Sequence, residues 1–254
     1  MGVPSNELVN WNPTIPIPQS IYDGTNTTQQ APLGTRLIVG ERTFYYANAA
    51  ASFAAGQVVC QTSPVASHQS GLLEIAAASA NTQVLSATSS ANVAANLYAE
   101  GYFGAALGAG KGQMYRVRSQ ASGSAAMAVT LYDPLQVALT SGAVFWLVQN
   151  MYKSVNVGSA ALGNPVGVAP LNITSGGYFW LQTFGPANPL HTGATVAAGA
   201  LAMGTLGTVT ALSVTGTLGS TGFAAIDYIV PIGKNLNLAA TASECNPAYI
   251  SIRQ

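Results

Sequence analysis

The sequence predicts an all-β protein: β-barrel or β-sandwich modules with short helices and an extended N-terminal arm. Three observations carry that expectation. From Leu33 onward, short runs rich in Val, Ile, Thr, Tyr and Phe recur between Gly-rich and Ser-rich turns, as strands joined by tight connections do. Some of these runs alternate apolar and polar residues with period two, the pattern of a half-buried strand. Ahead of them, Trp11, Ile15, Ile17 and Tyr22 stand among prolines and Asn, Thr and Gln, where neither a helix nor an interior strand can form.

Composition narrows the setting in which such a fold works. Of the 254 residues only 6% are charged and the formal net charge is +0, against about 25% charged in an ordinary soluble domain. Lys153 is followed by no Asp, Glu, Lys or Arg until Asp227. Dispersed monomers rely on interspersed surface charge, so the neutral surface points to a protein that is covered, inside an assembly. Disorder is excluded by 49% hydrophobic content, because disordered chains combine low hydrophobicity with high net charge. A membrane-spanning helix needs about 18 or more consecutive apolar residues. The best stretch, Ala194 to Leu218, is broken by Gly199, Gly204, Gly207 and several Thr. Met1 to Ser20 holds no Lys or Arg and is cut by four prolines, so no export signal is read there and the protein is expected to stay where it is made.

Taken in order, residues 1–32 read as the arm. Residues 33–155 form an N-terminal β module and 156–254 a C-terminal one, divided at the Gly-, Ala- and Ser-rich stretch Val155 to Pro165. In the first module Thr35 to Val39 and Arg42 to Tyr46 flank Gly40-Glu41, a two-residue link with Gly first that suits a type II′ hairpin. Strands follow at Gln57 to Gln61, Gln83 to Ser86, Glu100 to Ala105, Gln113 to Ser119, Met127 to Tyr132 and Ala143 to Gln149. In Gln113 to Ser119, Tyr115 and Val117 face one way and Arg116 and Arg118 the other. Asp133-Pro134-Leu135 has the order of a helix start, and the Ala-rich Glu74 to Ala80 and Ser90 to Tyr98 are the other expected helices. In the second module Tyr178 to Phe184 opens apolar on both faces, as when one face meets the core and the other a further sheet or subunit. Gly193 to Gly222 has strand-favouring Val and Thr, and Phe223 to Pro231 and Ala248 to Ile252 complete the series.

Reactive residues are sparse. His68 and His191 have no His, Asp or Glu neighbour at ligand spacing, and a G-x-S-x-G elbow is missing. Cys60 and Cys245 make neither a zinc site nor a disulfide framework. No catalytic residue, no metal and no cofactor is therefore expected. Gly104, Gly108, Gly110 and Gly112 surround Lys111, but Ala105 stands where a phosphate loop needs Gly and Gly112 where it needs Ser or Thr. A hairpin loop accounts for them better. Zero net charge removes the electrostatic term behind nonspecific nucleic-acid binding, so no nucleic-acid partner is expected, and no membrane partner either. The run Tyr178-Phe179-Trp180 reads as core or subunit interface before it reads as a sugar platform.

A resemblance emerges from the order of segments: Pro32-Leu33-Gly34-Thr35-Arg36-Leu37, Arg42-Thr43-Phe44-Tyr45-Tyr46, Ala54-Ala55-Gly56-Gln57-Val58-Val59, Gly112-Gln113-Met114-Tyr115-Arg116-Val117, Leu131-Tyr132-Asp133-Pro134-Leu135, Val166-Gly167-Val168-Ala169 and Tyr178-Phe179-Trp180-Leu181-Gln182-Thr183. Over roughly Leu33 to Phe184 the chain resembles virion structural proteins of tailed bacteriophages, the β-rich proteins that decorate or cement the outside of the head. The resemblance implies a non-enzymatic protein on the capsid exterior, made in the host cytoplasm, whose partners are the major capsid protein and itself as a dimer or trimer. On this reading Trp11, Ile15, Ile17 and Tyr22 anchor the arm across the capsid, and Tyr178, Phe179 and Trp180 lie at a subunit interface. The alternative is a head spike, fibre or tail protein that binds a host receptor or glycan. A wall hydrolase would need paired carboxylates at a cleft.

Overall fold

The computed structural model describes residues 19–24, 26–65, 68, 73–89, 91–124, 126–158, 164–191, 200–203, 207–211, 231–236, 245 and 247–252. Sixteen strands run through it: β1 Arg36–Val39, β2 Arg42–Asn48, β3 Val58–Cys60, β4 Leu73–Ile75, β5 Val84–Ser89, β6 Tyr102–Ala105, β7 Met114–Gln120, β8 Met127–Leu131, β9 Ala143–Val148, β10 Asn156–Val157, β11 Pro165–Val168, β12 Tyr178–Ala187, β13 Ala200–Met203, β14 Val209–Ala211, β15 Pro231–Asn235 and β16 Ala248–Ser251. Among the described residues there is no α-helix, and the protein is all-β.

The chain forms two compact units, one of Met1–Thr62 with Tyr152–Gln254 and one of Ser63–Met151. The linear division into 33–155 and 156–254 is thus replaced by a nested one. The reason is the partnership of β2 with β12, which pairs Tyr178 with Asn48 and Leu181 with Tyr45 and ties the segments before and after Ser63–Met151 into one sheet. The expected boundary, Val155 to Pro165, holds β10 and the first residue of β11, both paired with β3.

The first unit is a 10-stranded sheet in the order β10-β3-β11-β12-β16-β15-β13-β14, with β2 joined to β12 and β1 to β2. The β1–β2 hairpin closes as expected: Val39 pairs with Arg42, and Gly40 takes φ +59, which the first central residue of a type II′ turn requires. β12 is the hub. From Phe179 to Thr183 every residue is buried, because adjacent side chains on a strand point to opposite faces and both faces are covered. Phe53 meets Phe179 edge-on at 6.0 Å and Tyr46 meets Trp180 at 5.0 Å. A second cluster gathers Val58, Cys60, Val168, Val209, Ile232, Ile250 and Ile252. Gly193 to Gly222 lies largely outside the described residues, though β13 and β14 fall within it. Phe223 to Pro231 lies outside them except for Pro231.

The second unit is a closed barrel, β4-β5-β8-β7-β6-β9, antiparallel at every seam. Closure removes every sheet edge, and alternation does the rest. In β5, Leu85, Ala87 and Ser89 are buried while Val84, Ser86 and Thr88 are exposed. Inside, Phe103 meets Phe145 at 5.1 Å and Tyr115 at 6.3 Å, and Leu85, Met127, Leu131 and Leu135 complete a dry core. Each large apolar side chain buried there contributes about 1.5–3 kcal/mol.

The three expected helices are not formed. Glu74 and Ile75 lie in β4, which pairs with both β5 and β9 and closes the barrel, and Ala78 bridges Leu139. In Ser90 to Tyr98, Val93 bridges Gly123 and the backbone N–H of Asn96 donates to Gln120 O. Beyond Asp133-Pro134, the Leu135 N–H donates to Thr82 O while its side chain fills the core. Isolated helices below about 12–15 residues are marginal, so alanine propensity over seven to nine residues yields to barrel closure.

Candidate binding face

Of the residues proposed as arm anchors, Trp11, Ile15 and Ile17 lie outside the described residues, and Tyr22 is 74% exposed. The segment that carries Tyr22 is no free arm. Gln19 is buried: the Tyr46 hydroxyl donates to its Oε1 at 2.6 Å and the Trp180 indole Nε1 to its backbone O at 2.8 Å. Its own Nε2 donates to Tyr178 O at 2.6 Å and Asp23 O at 2.9 Å. Tyr178 N donates to Asn26 O at 2.7 Å, and Ala31 and Leu33 are buried. Residues 19–24 and 26–32 therefore belong to the first unit, packed on β12 and β2, and the arm expected over 1–32 gives way to folded chain by Gln19.

The same packing corrects the interface assignment. Phe179 and Trp180 are 0% exposed within the chain, and Tyr178 is partly buried, stacked on Tyr46 at 5.9 Å. The second face that the sequence left for a partner subunit is covered by the chain's own Gln19, Asn26 and Tyr46.

Among the described residues, reactive side chains do not converge. His68 is buried in the second unit with Nδ1 2.8 Å from the Tyr98 hydroxyl, and burial pushes Tyr98 up to about 12. His191 is buried in the first unit. Cys60 is a buried core thiol and Cys245 an exposed one, and neither is in a disulfide. Among the described residues no three His, Cys, Asp or Glu side chains stand together as metal ligands would, and no helix is long and apolar enough to cross a membrane. The glycine-rich segment around Lys111 is the β6–β7 hairpin loop, with Gly108, Gly110 and Gly112 all at positive φ.

One surface of the barrel stands apart. Register places Trp146 of β9 opposite Gly104 of β6, and Gly104 opposite Met114 of β7; the next row is Val148, Tyr102 and Arg116. Directly paired residues share a face. Phe103, Tyr115, Val117, Phe145 and Leu147 point into the core, so these two rows point outward. A Cβ at Gly104 would lie 2.0, 2.3 and 2.4 Å from Cζ2, Cε2 and Cη2 of Trp146. The indole lies across β6 with one ring face on the glycine backbone and the other turned away from the sheet. Beyond it Tyr102, Met114, Val148 and Tyr132 are exposed. The Arg116 guanidinium stands over the Tyr132 ring, 5.2 Å from its centroid, within cation–π range.

The other side of the barrel is built differently. On β5 and β8 the outward residues are Val84, Ser86, Thr88, Ala128 and Thr130, mostly small or hydroxylated, as a solvated sheet face should be. On β9, β6 and β7 they include Val144 and Val148 beside Trp146, Tyr102, Met114 and Arg116, and Trp, Tyr, Met and Arg are types enriched where surfaces bind something. Charge is segregated too. Between Glu100 and Asp133 there are three cations, Lys111, Arg116 and Arg118, and no acid. Arg118 sits where the β7 register shifts against β8, between Val117 and Ser119, a bulge that re-aims a side chain.

The strand readings of Glu100 to Ala105 and Ala143 to Gln149 located β6 and β9, and the Arg116/Arg118 face of β7 was legible, but the aromatic face was not read. Its signal was Val144-Phe145-Trp146-Leu147-Val148, apolar at every position in a strand whose barrel needs only one apolar face. Compared with protein-family models, curated proteins and solved structures, the chain matches none of them.

Proposed function

We propose that this protein is a non-enzymatic structural component of a tailed-bacteriophage virion, bound to the outside of the capsid, which it cements or decorates. It is made in the host cytoplasm, and its partners are the major capsid protein and further copies of itself. The observation that carries this reading is the charge-poor surface of an all-β chain, 6% charged with net charge +0, suited to standing among other subunits rather than dispersed in solution. The segment ahead of Gln19, with Trp11, Ile15 and Ile17, supplies the capsid-binding anchors, and burial of those side chains offsets the backbone entropy of ordering, about 1–2 kcal/mol per residue. The Gln19 hydrogen bonds tie that segment to the first unit.

Quantitative mass spectrometry of purified particles tests the reading. Hundreds of copies in a simple ratio to the major capsid protein are expected; a few to tens would move the protein to a spike, fibre or tail, and none would remove it from the virion. Deleting residues 1–18, upstream of the buried Gln19, is expected to abolish capsid binding while circular dichroism stays that of the intact chain. Undiminished binding by the truncated protein would refute the anchoring role.

A further inference from the structure

We propose that the outer face of β9, β6 and β7 binds an acidic oligosaccharide, its sugar rings stacked on Trp146 and Tyr102 and its carboxylate or phosphate groups paired with Arg116 and Arg118. The inference stands independently of where the protein sits on a particle.

The ring geometry selects the ligand first. A tryptophan that anchors a protein interface does so as a knob filling a pocket of its partner. Trp146 is no knob: the missing side chain at Gly104 lets it lie down, so it offers a plane. The negative ring face matches the face of a pyranose, whose axial C–H bonds carry partial positive charge. Tyr102 continues the platform one row along, and Arg116 over Tyr132 ends it. From β9 to β7 the face spans two strand spacings, roughly 10 Å, the length of a short oligosaccharide rather than one sugar.

Charge selects second. A guanidinium stacked on a ring keeps its in-plane N–H donors, which fit a carboxylate or phosphate bidentately. Arg118, exposed two residues further along β7, adds a second cation, and Lys111 a third in the β6–β7 loop. A second copy of this chain is disfavoured, because a two-fold interface sets the same patch against itself and would gather Arg116 and Arg118 of both copies on one surface. Single-stranded nucleic acid would share the stacking, but it requires a basic track that follows successive phosphates. Here Glu100 and Asp133 close the cationic stretch at both ends.

The test titrates the full chain, by calorimetry and tryptophan fluorescence, with oligogalacturonate, sialylated and phosphorylated oligosaccharides, neutral cello-oligosaccharides and oligothymidylate. Saturable binding of at least one acidic saccharide is expected, about tenfold or more tighter than the neutral series. Trp146→Ala should weaken it by about tenfold or more, and Trp146→Phe should restore part of it. Arg116→Gln should weaken it and flatten its salt dependence. Should Trp146→Ala fail to fold, Tyr102→Ala and Arg116→Gln, both outside the core, carry the same test. Failure of every acidic saccharide to bind, equal binding by Trp146→Ala with its fold intact, tighter binding of oligothymidylate, or a dimer dissolved by Trp146→Ala in sedimentation would each overturn the proposal.

Discussion

The tripeptide Phe-Trp-Leu occurs twice in this chain, at Phe145-Trp146-Leu147 in β9 and at Phe179-Trp180-Leu181 in β12, and the two copies meet opposite fates. In both, Phe and Leu point into a core and Trp points the other way. In β12 the other way is also interior: Tyr46 packs against Trp180, and the backbone O of Gln19 accepts its indole N–H. In β9 the indole lies over the backbone of Gly104 and is half-buried rather than enclosed. A strand apolar on both faces thus states that both faces are used, and leaves open whether the chain or a ligand uses the second.

The comparison can be broken most directly by truncating both indoles. Trp180→Ala should cost about 3–5 kcal/mol of stability, read by urea unfolding of the full chain, whereas Trp146→Ala should cost about 1 kcal/mol or less. Equal costs would mean that Trp146 is a core residue and the binding face does not exist. Gln19→Ala tests the cover itself. It leaves the Tyr46 hydroxyl without its acceptor in a buried place, a loss of about 1–3 kcal/mol, and should speed exchange of the Trp180 indole proton. An unchanged exchange rate would detach residues 19–24 and 26–32 from the first unit.

Gly104→Ala sharpens the other side of the comparison. The new Cβ would occupy the place of the Trp146 ring, so the indole must rise off β6, with an overpacking cost of about 1–3 kcal/mol and a red-shifted tryptophan emission. An unshifted spectrum would show the ring lying elsewhere.

The smallest effect is expected from alkaline pH. Burial raises Tyr98 from 10.0 to about 12, so the folded second unit keeps the phenol protonated where the unfolded chain releases it. That contribution is fully present below pH 10.0 and is lost as pH rises toward about 12, because the unfolded state then binds fewer protons. Burial raises Tyr46 and Tyr152 in the first unit as well, so both units should lose stability in alkali. Tyr98→Phe should remove the second unit's share; identical alkaline melts for the variant and the wild type would contradict the assignment.

Much of the fold was legible because strand signals are local. Arg42 to Tyr46, Gln113 to Ser119 and Met127 to Tyr132 each carry their alternation or β-rich content within a few residues, and Gly40-Glu41 fixes its hairpin by φ alone. The misread segments depend on distant partners. Glu74 to Ala80 contains alanines that suit a helix, yet β4 is held between β5, the next strand, and β9, which lies well downstream. The Gly- and Ala-rich stretch at Val155 to Pro165 looked like a linker because its pairing partner, β3, comes nearly a hundred residues earlier in the chain.

The candidate site divides in the same way. That β9 and β12 would each have two working faces could be read from the residues alone, as could the cations without acids between Glu100 and Asp133. Which Trp is covered could not, because coverage is set by register and topology: β6 brings Gly104 under Trp146, and β2 brings Tyr46 and the Gln19 segment over Trp180. Sequence by itself determined the all-β class, the neutral surface and the places of most strands, since these follow from composition and period-two patterning within short windows. Only the tertiary structure decided the nesting of one unit in the other, the closure of the barrel and the exposure of its aromatic face, since each depends on pairings between residues far apart in the chain.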